Sequence, residues 1–275
     1  MNSPRAVACD LDGTLLRTDL TISARTRAAL AAVEAAGALL VLVTGRPPRW
    51  LAPVVDQVDH RGLAICANGA LVYDLHTNEV VESDLIAPEV LARIVADLRG
   101  LVDGVTFAIE HVGGFWHDTG YPVPPQHRTT AVREVAPEEL VGVPVAKLLV
   151  RHPQRDSEDL LAAVGEVFAG LAEVTHSTPV GPGLLELSAA GVSKASALAR
   201  LCAQHDIEAA DVVAFGDMLN DLPMLAWAGR PYAMANAHPD VLAAIARRAP
   251  SNDEDGVAVV LEQLFGAGIA RRGAG

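Results

Sequence analysis

The chain of 275 residues reads as an α/β protein with a parallel central sheet and an inserted α+β unit. Three observations predict this class. Short unbroken apolar runs have the length of strands buried on both faces, alanine-rich helical stretches lie between them, and the pattern changes from about Ser83 to Leu187.

In chain order the apolar runs are Ala6 to Cys9, Ala38 to Thr44, Leu63 to Cys66, Asp211 to Phe215 and a weaker one, Tyr232 to Met234. Ser23 is placed to cap a helix that runs to Ala36 and stops at Gly37, and Ser193 to cap another running to about His205. Strands alternating with helices of this length build βαβ units, whose parallel sheet is covered on both faces. Ligands gather at the carboxyl ends of such strands.

The middle segment mixes candidate helices, Pro88 to Arg99 and Asp156 to Ala169, with alternating stretches, Val105 to Ile109 and Val145 to Val150. It also holds Gly113 to Pro122, rich in Gly, Pro and aromatic residues, which reads as a loop. The mixture predicts an insertion over 83–187 with its own small sheet, set into a core formed from 1–82 and 188–275. The Gly/Arg/Ala tail after Ile269 reads as frayed.

Composition narrows the function classes. Hydrophobic residues make up 51% of the chain, enough for two moderate cores. The formal net charge is -13 with no Lys/Arg cluster, which argues against nucleic-acid and anionic-membrane partners. Cys9, Cys66 and Cys202 lie far apart without metal-ligand spacing, as suits a reducing cytoplasm. No apolar run approaches the roughly 20 residues of a membrane helix, and no basic-then-apolar leader is visible. The expectation is a soluble cytoplasmic protein, a monomer or small homo-oligomer, with a small-molecule partner.

Four clusters adjoin the predicted strands and carry the chemistry. They are Asp10-Leu11-Asp12-Gly13-Thr14, Thr44-Gly45-Arg46, Lys194 at a helix start, and Gly216-Asp217-Met218-Leu219-Asn220-Asp221. Residues i and i+2 of an extended chain share a side, so Asp10 and Asp12 are expected to project into one space, a costly pairing without a cation or shared proton. The carboxylates Asp10, Asp12 and Asp217 form a hard oxygen site suited to Mg²⁺. Thr44 adds a hydroxyl, Lys194 a positive charge, and the glycine turns free N–H groups for an anion. Carboxylates, Mg²⁺ and anion donors together suit phosphoryl transfer, with Asp10 as nucleophile and Asp12 as acid, then base.

The series Asp-x-Asp-Gly-Thr, Thr-Gly-Arg, Lys, Gly-Asp-x-x-Asn-Asp resembles the haloacid-dehalogenase-like superfamily, and within it the Cof-like phosphatase branch. Ala67-Asn68-Gly69-Ala70, Met234 to Ala237 and Ser251 to Val257 are similar to segments of that branch, whereas Ala195 and Ala235 stand where it often has glycine. The resemblance implies a Rossmann-like core with a cap and an aspartyl-phosphate intermediate on Asp10. It implies Mg²⁺ on Asp10, the Asp12 carbonyl and Asp217, with Asn220 and Asp221 supporting that shell or ligating through water. Thr44 and Lys194 would bind the phosphoryl group. Gly45, Arg46 and Asn68 are further candidates for substrate or phosphate binding, with Asn68, which follows a core strand, placed to line the entrance and Arg46 and Asn252 as similar candidates.

Spacing locates the cap. About 30 residues separate Asp12 from Thr44, but about 150 separate Thr44 from Lys194, so the lid must be the insertion. The reading is therefore a Mg²⁺-dependent phosphatase of small phosphorylated metabolites, sugar phosphates first and phosphorylated cofactors or precursors second. Alternatives are a phosphotransferase or mutase on the same scaffold and a non-catalytic ligand-binding protein. Trp116, His117, Tyr121, His127 and Arg128 are left out of the site, because a packed surface loop explains them equally well.

Overall fold

The structure, a computed structural model, describes residues 3–58, 62–123, 131–164, 166–176 and 182–272, with side chains described to 266. His127 and Arg128 lie outside the described residues. The chain splits into two compact units, Met1–Glu82 with Ser193–Gly275, and Ser83–Val192.

Strands are numbered in chain order. The first unit opens with β1 (Ala6–Asp10), β2 (Leu39–Val43), β3 (Leu63–Cys66), β4 (Leu71–Asp74) and β5 (Glu79–Ser83). The second contributes β6 (Thr106–His111), β7 (Gly114–His117), β8 (Val132–Glu134), β9 (Lys147–His152), β10 (Ala172–Thr175) and β11 (Gly183–Ala189). The chain then returns for β12 (Val212–Gly216), β13 (Arg230–Met234) and β14 (Arg248–Ala249).

The first unit is a sheet in the order β14-β13-β12-β1-β2-β3-β4-β5. The pairs from β14 through to β3 are parallel, and β4 runs antiparallel to β3. Every residue of β1 and β12 is buried, which is why both read as unbroken apolar runs. Chain order reverses direction at β1, with β2 on one side and β12 on the other, so the carboxyl end of β1 lies at a topological switch point.

Helix Ala24–Ala35 is capped by Ser23, whose hydroxyl accepts from Thr26 N, and it ends before Gly37 at φ 78°. Helix Lys194–Gln204 is capped by Ser193, which exchanges hydrogen bonds with Ser196 in a capping box. That cap fixes where Lys194 begins its turn.

The second unit has its own sheet, β10-β11-β9-β6-β7-β8, antiparallel except for the β7–β8 pair. Phe107, Ile109, Leu148, Val150, Leu185 and Leu187 alternate along its strands and are buried in one cluster with Leu91, Ile94 and Leu98 of helix Pro88–Leu101. Because β11 pairs with β9 and β10, it belongs wholly to this unit, and the return to the first unit falls at Ser193 and not at 188.

Two local expectations are corrected. Gly114–His117 is a strand inside the expected Gly113 to Pro122 loop, because Phe115 and Trp116 pair with Glu110 and Ile109. Helix Ser157–Val164 stops well short of Ala169, where Val167 N, Ala169 N and Leu171 N make three-residue turn bonds in its place. Among the described residues no helix is long and apolar enough to cross a membrane.

Candidate active site

All four sequence clusters lie in the first unit. Asp10 is the last residue of β1 and only 5% exposed. Asp217 directly follows β12, the parallel neighbour of β1, and is also buried. A short turn, Leu219–Asp221, folds Asp221 back so that its Oδ2 accepts from Asp217 N and Met218 N, each at 3.0 Å. One carboxylate oxygen from each of Asp10, Asp217 and Asp221 can lie within 4.8 Å of the others.

Lys194 is the cation among them. Its Nζ donates to Asp10 Oδ1 and to Asp221 Oδ1, both at 2.6 Å, and its side chain is 2% exposed. One ammonium bridges two of three buried carboxylates, and that imbalance shows in the protonation of Asp10 and Asp217. Burial raises the Asp10 carboxyl well above the usual range, with Asp221 and Asp217 adding to the rise and Lys194 opposing it. Burial and Asp221 likewise push Asp217 up to about 7, against its bond from Thr14. Burial alone lowers an ammonium's pKa, yet Asp10 and Asp221 raise that of Lys194 above its ordinary value.

Asp12 is placed differently from the expectation of a shared space with Asp10. Strand β1 ends at Asp10, so the two-residue alternation does not carry to Asp12, whose side chain is 53% exposed and paired with Arg46. The carboxylates that crowd Asp10 are Asp217 and Asp221. Asp221, expected to support the metal shell or to ligate through water, is one of the three grouped carboxylates.

The turn after β1 is shaped for this. Gly13 has φ 76°, and a Cβ there would come within 2.4 Å of Asp217 Oδ2. Thr14 Oγ1 donates to Asp217 Oδ1 at 2.8 Å. Asn236 Nδ2 donates to Gly13 O at 2.8 Å, its Oδ1 accepts from Asn252 N, and Asn252 Nδ2 donates to Leu16 O. Thr14 and Asn236 were not among the expected site residues, and Asn252 was a further candidate. The signal was present in the Asp-x-Asp-Gly-Thr motif and in the two asparagine segments, but not their mutual contacts.

Thr44 follows β2, is fully buried, and accepts at Oγ1 from Arg46 N at 3.0 Å. Gly45 lies between them, half-buried. Next to this loop, Ala67, Asn68 and Gly69 all have positive φ, 51°, 58° and 109°. Left-handed non-glycine residues cost roughly 1–3 kcal/mol each and persist where the surroundings fix them. Here Asn68 N donates to Thr44 O and Ala67 N to Arg46 O, so the turn braces the Thr44-Gly45-Arg46 loop. The buried Asn68 Oδ1 accepts from Asn220 Nδ2 at 3.2 Å, while Asn220 Oδ1 is buried without a hydrogen-bond partner among the described residues.

Three hard carboxylate oxygens at one point, with an excess of buried negative charge that a cation relieves at neutral pH, fit Mg²⁺ in donor chemistry, and the buried Asn220 Oδ1 in the same loop as Asp217 and Asp221 is a further hard oxygen. The donor set contains no sulfur or imidazole, which would favour zinc.

Comparison with known proteins gives the site its setting. The family model for haloacid dehalogenase-like hydrolases matches residues 7–261. The Bacillus subtilis protein YxeH is 30% identical over 94% of this chain and 98% of its own. The 5-amino-6-(5-phospho-D-ribitylamino)uracil phosphatase YitU of the same organism is 27% identical over 95% and 98%. The Escherichia coli pyridoxal phosphate phosphatase YbhA is 29% identical over 87% and 90%. A crystal structure of a haloacid dehalogenase-like hydrolase from Bacteroides thetaiotaomicron superposes with a TM-score of 0.77 at 27% identity, covering 95% of this chain and all of that one. Sequence, fold and the ends of β1, β2 and β12 agree: this chain belongs to the haloacid dehalogenase-like hydrolases.

Proposed function

We propose that this chain is a Mg²⁺-dependent phosphatase that hydrolyses small phosphate monoesters through a phosphorylated Asp10. The observation that carries the reading is the grouping of the Asp10, Asp217 and Asp221 carboxylates at one point, two of them bridged by the buried ammonium of Lys194.

Asp10, Asp217 and the Asp12 carbonyl would hold the metal, with Asp221 and Asn220 at its edge. When bound, Mg²⁺ offsets the charge of the transferring phosphoryl group and of the carboxylates around it. An Asp10 carboxylate oxygen attacks phosphorus, the bond from phosphorus to the ester oxygen breaks, and the departing alcohol takes a proton from the Asp12 carboxyl. Water then attacks the same phosphorus and gives a proton to the Asp12 carboxylate, and the bond to Asp10 breaks to release inorganic phosphate. Lys194 orients Asp10 and supplies positive charge to the phosphoryl oxygens, with Thr44, Gly45 and Asn68 as its other donors.

The substrates are sugar phosphates and phosphorylated cofactors or their precursors. The names of YbhA and YitU, which specify pyridoxal phosphate and a phosphoribitylamino-uracil, support the second class. The test is phosphate release from a panel of both classes with Mg²⁺. Turnover of at least one member, lost on chelation and restored by added Mg²⁺, is the expected outcome. Release that appears only when an acceptor sugar is added would replace hydrolysis by transfer.

Metal dependence has a pH signature in stability. The raised carboxyls of Asp10 and Asp217 keep more protons on the native chain than on the unfolded one between about pH 4 and 7, so metal-free stability falls as pH rises through that window. A cation that binds only the ionised native site adds about 2.7 kcal/mol at a hundredfold excess over Kd. Thermal melts should therefore show a Mg²⁺-induced rise that is small at pH 5 and grows toward pH 8. A rise independent of pH contradicts the assignment of the metal to these carboxylates.

A further inference from the structure

We propose that Arg46 is a positioning residue, setting the Asp12 carboxylate in the orientation that proton transfer needs, and not a ligand of the phosphoryl group. The inference rests on the phosphatase reading above and assigns one residue of that site a different task.

Arg46 grips Asp12 through a two-pronged contact. Its Nε donates to Asp12 Oδ2 at 2.8 Å and its Nη2 to Oδ1 at 2.5 Å, so both oxygens of the carboxylate are engaged. Planar forks of this kind fix the plane of the carboxylate as well as its distance. The arginine is the rigid partner. Its backbone N donates to Thr44 Oγ1 and its carbonyl accepts from Ala67 N, and its side chain is 19% exposed against 53% for Asp12.

Asp12 by contrast stands on a turn beyond the end of β1, next to a glycine with positive φ. Without a partner, a half-exposed carboxylate there samples its rotamers freely, and a proton donor displaced by one rotamer no longer reaches the ester oxygen. The fork removes that freedom. It also commits two guanidinium N–H groups to Asp12, and these are the groups a phosphate ligand would present to the phosphoryl oxygens.

Leaving-group dependence separates the two tasks. Steady-state and burst kinetics of the full chain, Arg46→Gln and Arg46→Lys would be measured with Mg²⁺ on monoesters running from p-nitrophenyl phosphate to simple alkyl phosphates. p-Nitrophenolate leaves without taking a proton, whereas an alkyl ester's oxygen needs one to leave as the alcohol. For Arg46→Gln, kcat/KM should fall about 10²-fold on alkyl esters and less than about threefold on p-nitrophenyl phosphate, the scale of one general acid. The p-nitrophenyl ester should also show a burst, because hydrolysis of phospho-Asp10 still needs Asp12 as base. Arg46→Lys keeps the charge without the fork and should behave as Arg46→Gln does.

Equal losses on every ester, with rescue by lysine, would make Arg46 a phosphate ligand and overturn the proposal. Unchanged kinetics would overturn it as well. If Arg46→Gln folds poorly, Arg46→Lys carries the ester series, and adding it to Asp12→Asn should cause no further loss; a multiplicative loss counts against the proposal. A parent chain inactive on every ester in this series and in the metabolite panel would instead overturn the phosphatase reading itself.

Discussion

Asp10→Asn lowers phosphate release by on the order of 10⁴-fold or more, the scale on which losing a covalent nucleophile acts. In barrier terms that is about 5 kcal/mol. The same substitution leaves the melting temperature unchanged or raises it in metal-free buffer at pH 8. The native chain holds the Asp10 charge at a cost, since burial and two neighbouring carboxylates raise its pKa. An amide has no charge to bury, and its oxygen still accepts from Lys194. Activity and stability move in opposite directions, as expected where a site is strained for function. Phosphate release and thermal melts on one sample check both halves; an active variant sinks the assignment of Asp10, and a strongly destabilised one sinks the account of its charge.

Lys194→Met acts in the other direction on stability. Removing one partner of a buried ion pair costs about 3–5 kcal/mol, because the remaining charges stay buried without compensation. Here the side chain removed is 2% exposed and bridges two carboxylates that are 7% and 0% exposed. The loss should be largest at pH 8 and shrink toward pH 5, where Asp10 and Asp217, both with raised pKa, take up protons and need the ammonium less. Mg²⁺ should recover part of the stability and little of the phosphate release. Denaturant melts at the two pH values, with and without metal, decide it: a loss equal at both means that Lys194 serves packing and not charge.

The clusters legible in the sequence are those whose position the backbone dictates. Asp10 and Asp217 end or follow strands buried on both faces, Thr44 follows a third, and Lys194 opens a helix whose cap is spelled out by Ser193. What the sequence does not carry is the path of a chain after it leaves regular structure. The Leu219–Asp221 turn carries Asp221 under the Asp217 amide, and the end of β1 frees Asp12 to meet Arg46. Both depend on a few backbone dihedrals in loops. Gly114–His117 was obscured for a related reason: a glycine-flanked aromatic stretch has the composition of a loop, and only pairing with β6 makes it a strand.

The nesting of one unit inside the other bears on how the molecule is made. Strand β1 pairs along its length with β12, 206 residues later, as in Ala6 with Val212, and Asp10 meets Lys194 across 184 residues. Ser83–Val192, in contrast, is one continuous stretch with its own sheet and core cluster. As the chain is synthesised, all the strands of the inserted unit exist before β12, the second partner of β1, does. The carboxylate cluster thus cannot assemble until Asp217 and Asp221 have been made, and a chain truncated anywhere before Lys194 lacks the ammonium that pairs with Asp10. A chain that stops just after Val192 holds every strand of the inserted unit and none of Lys194, Asp217 and Asp221.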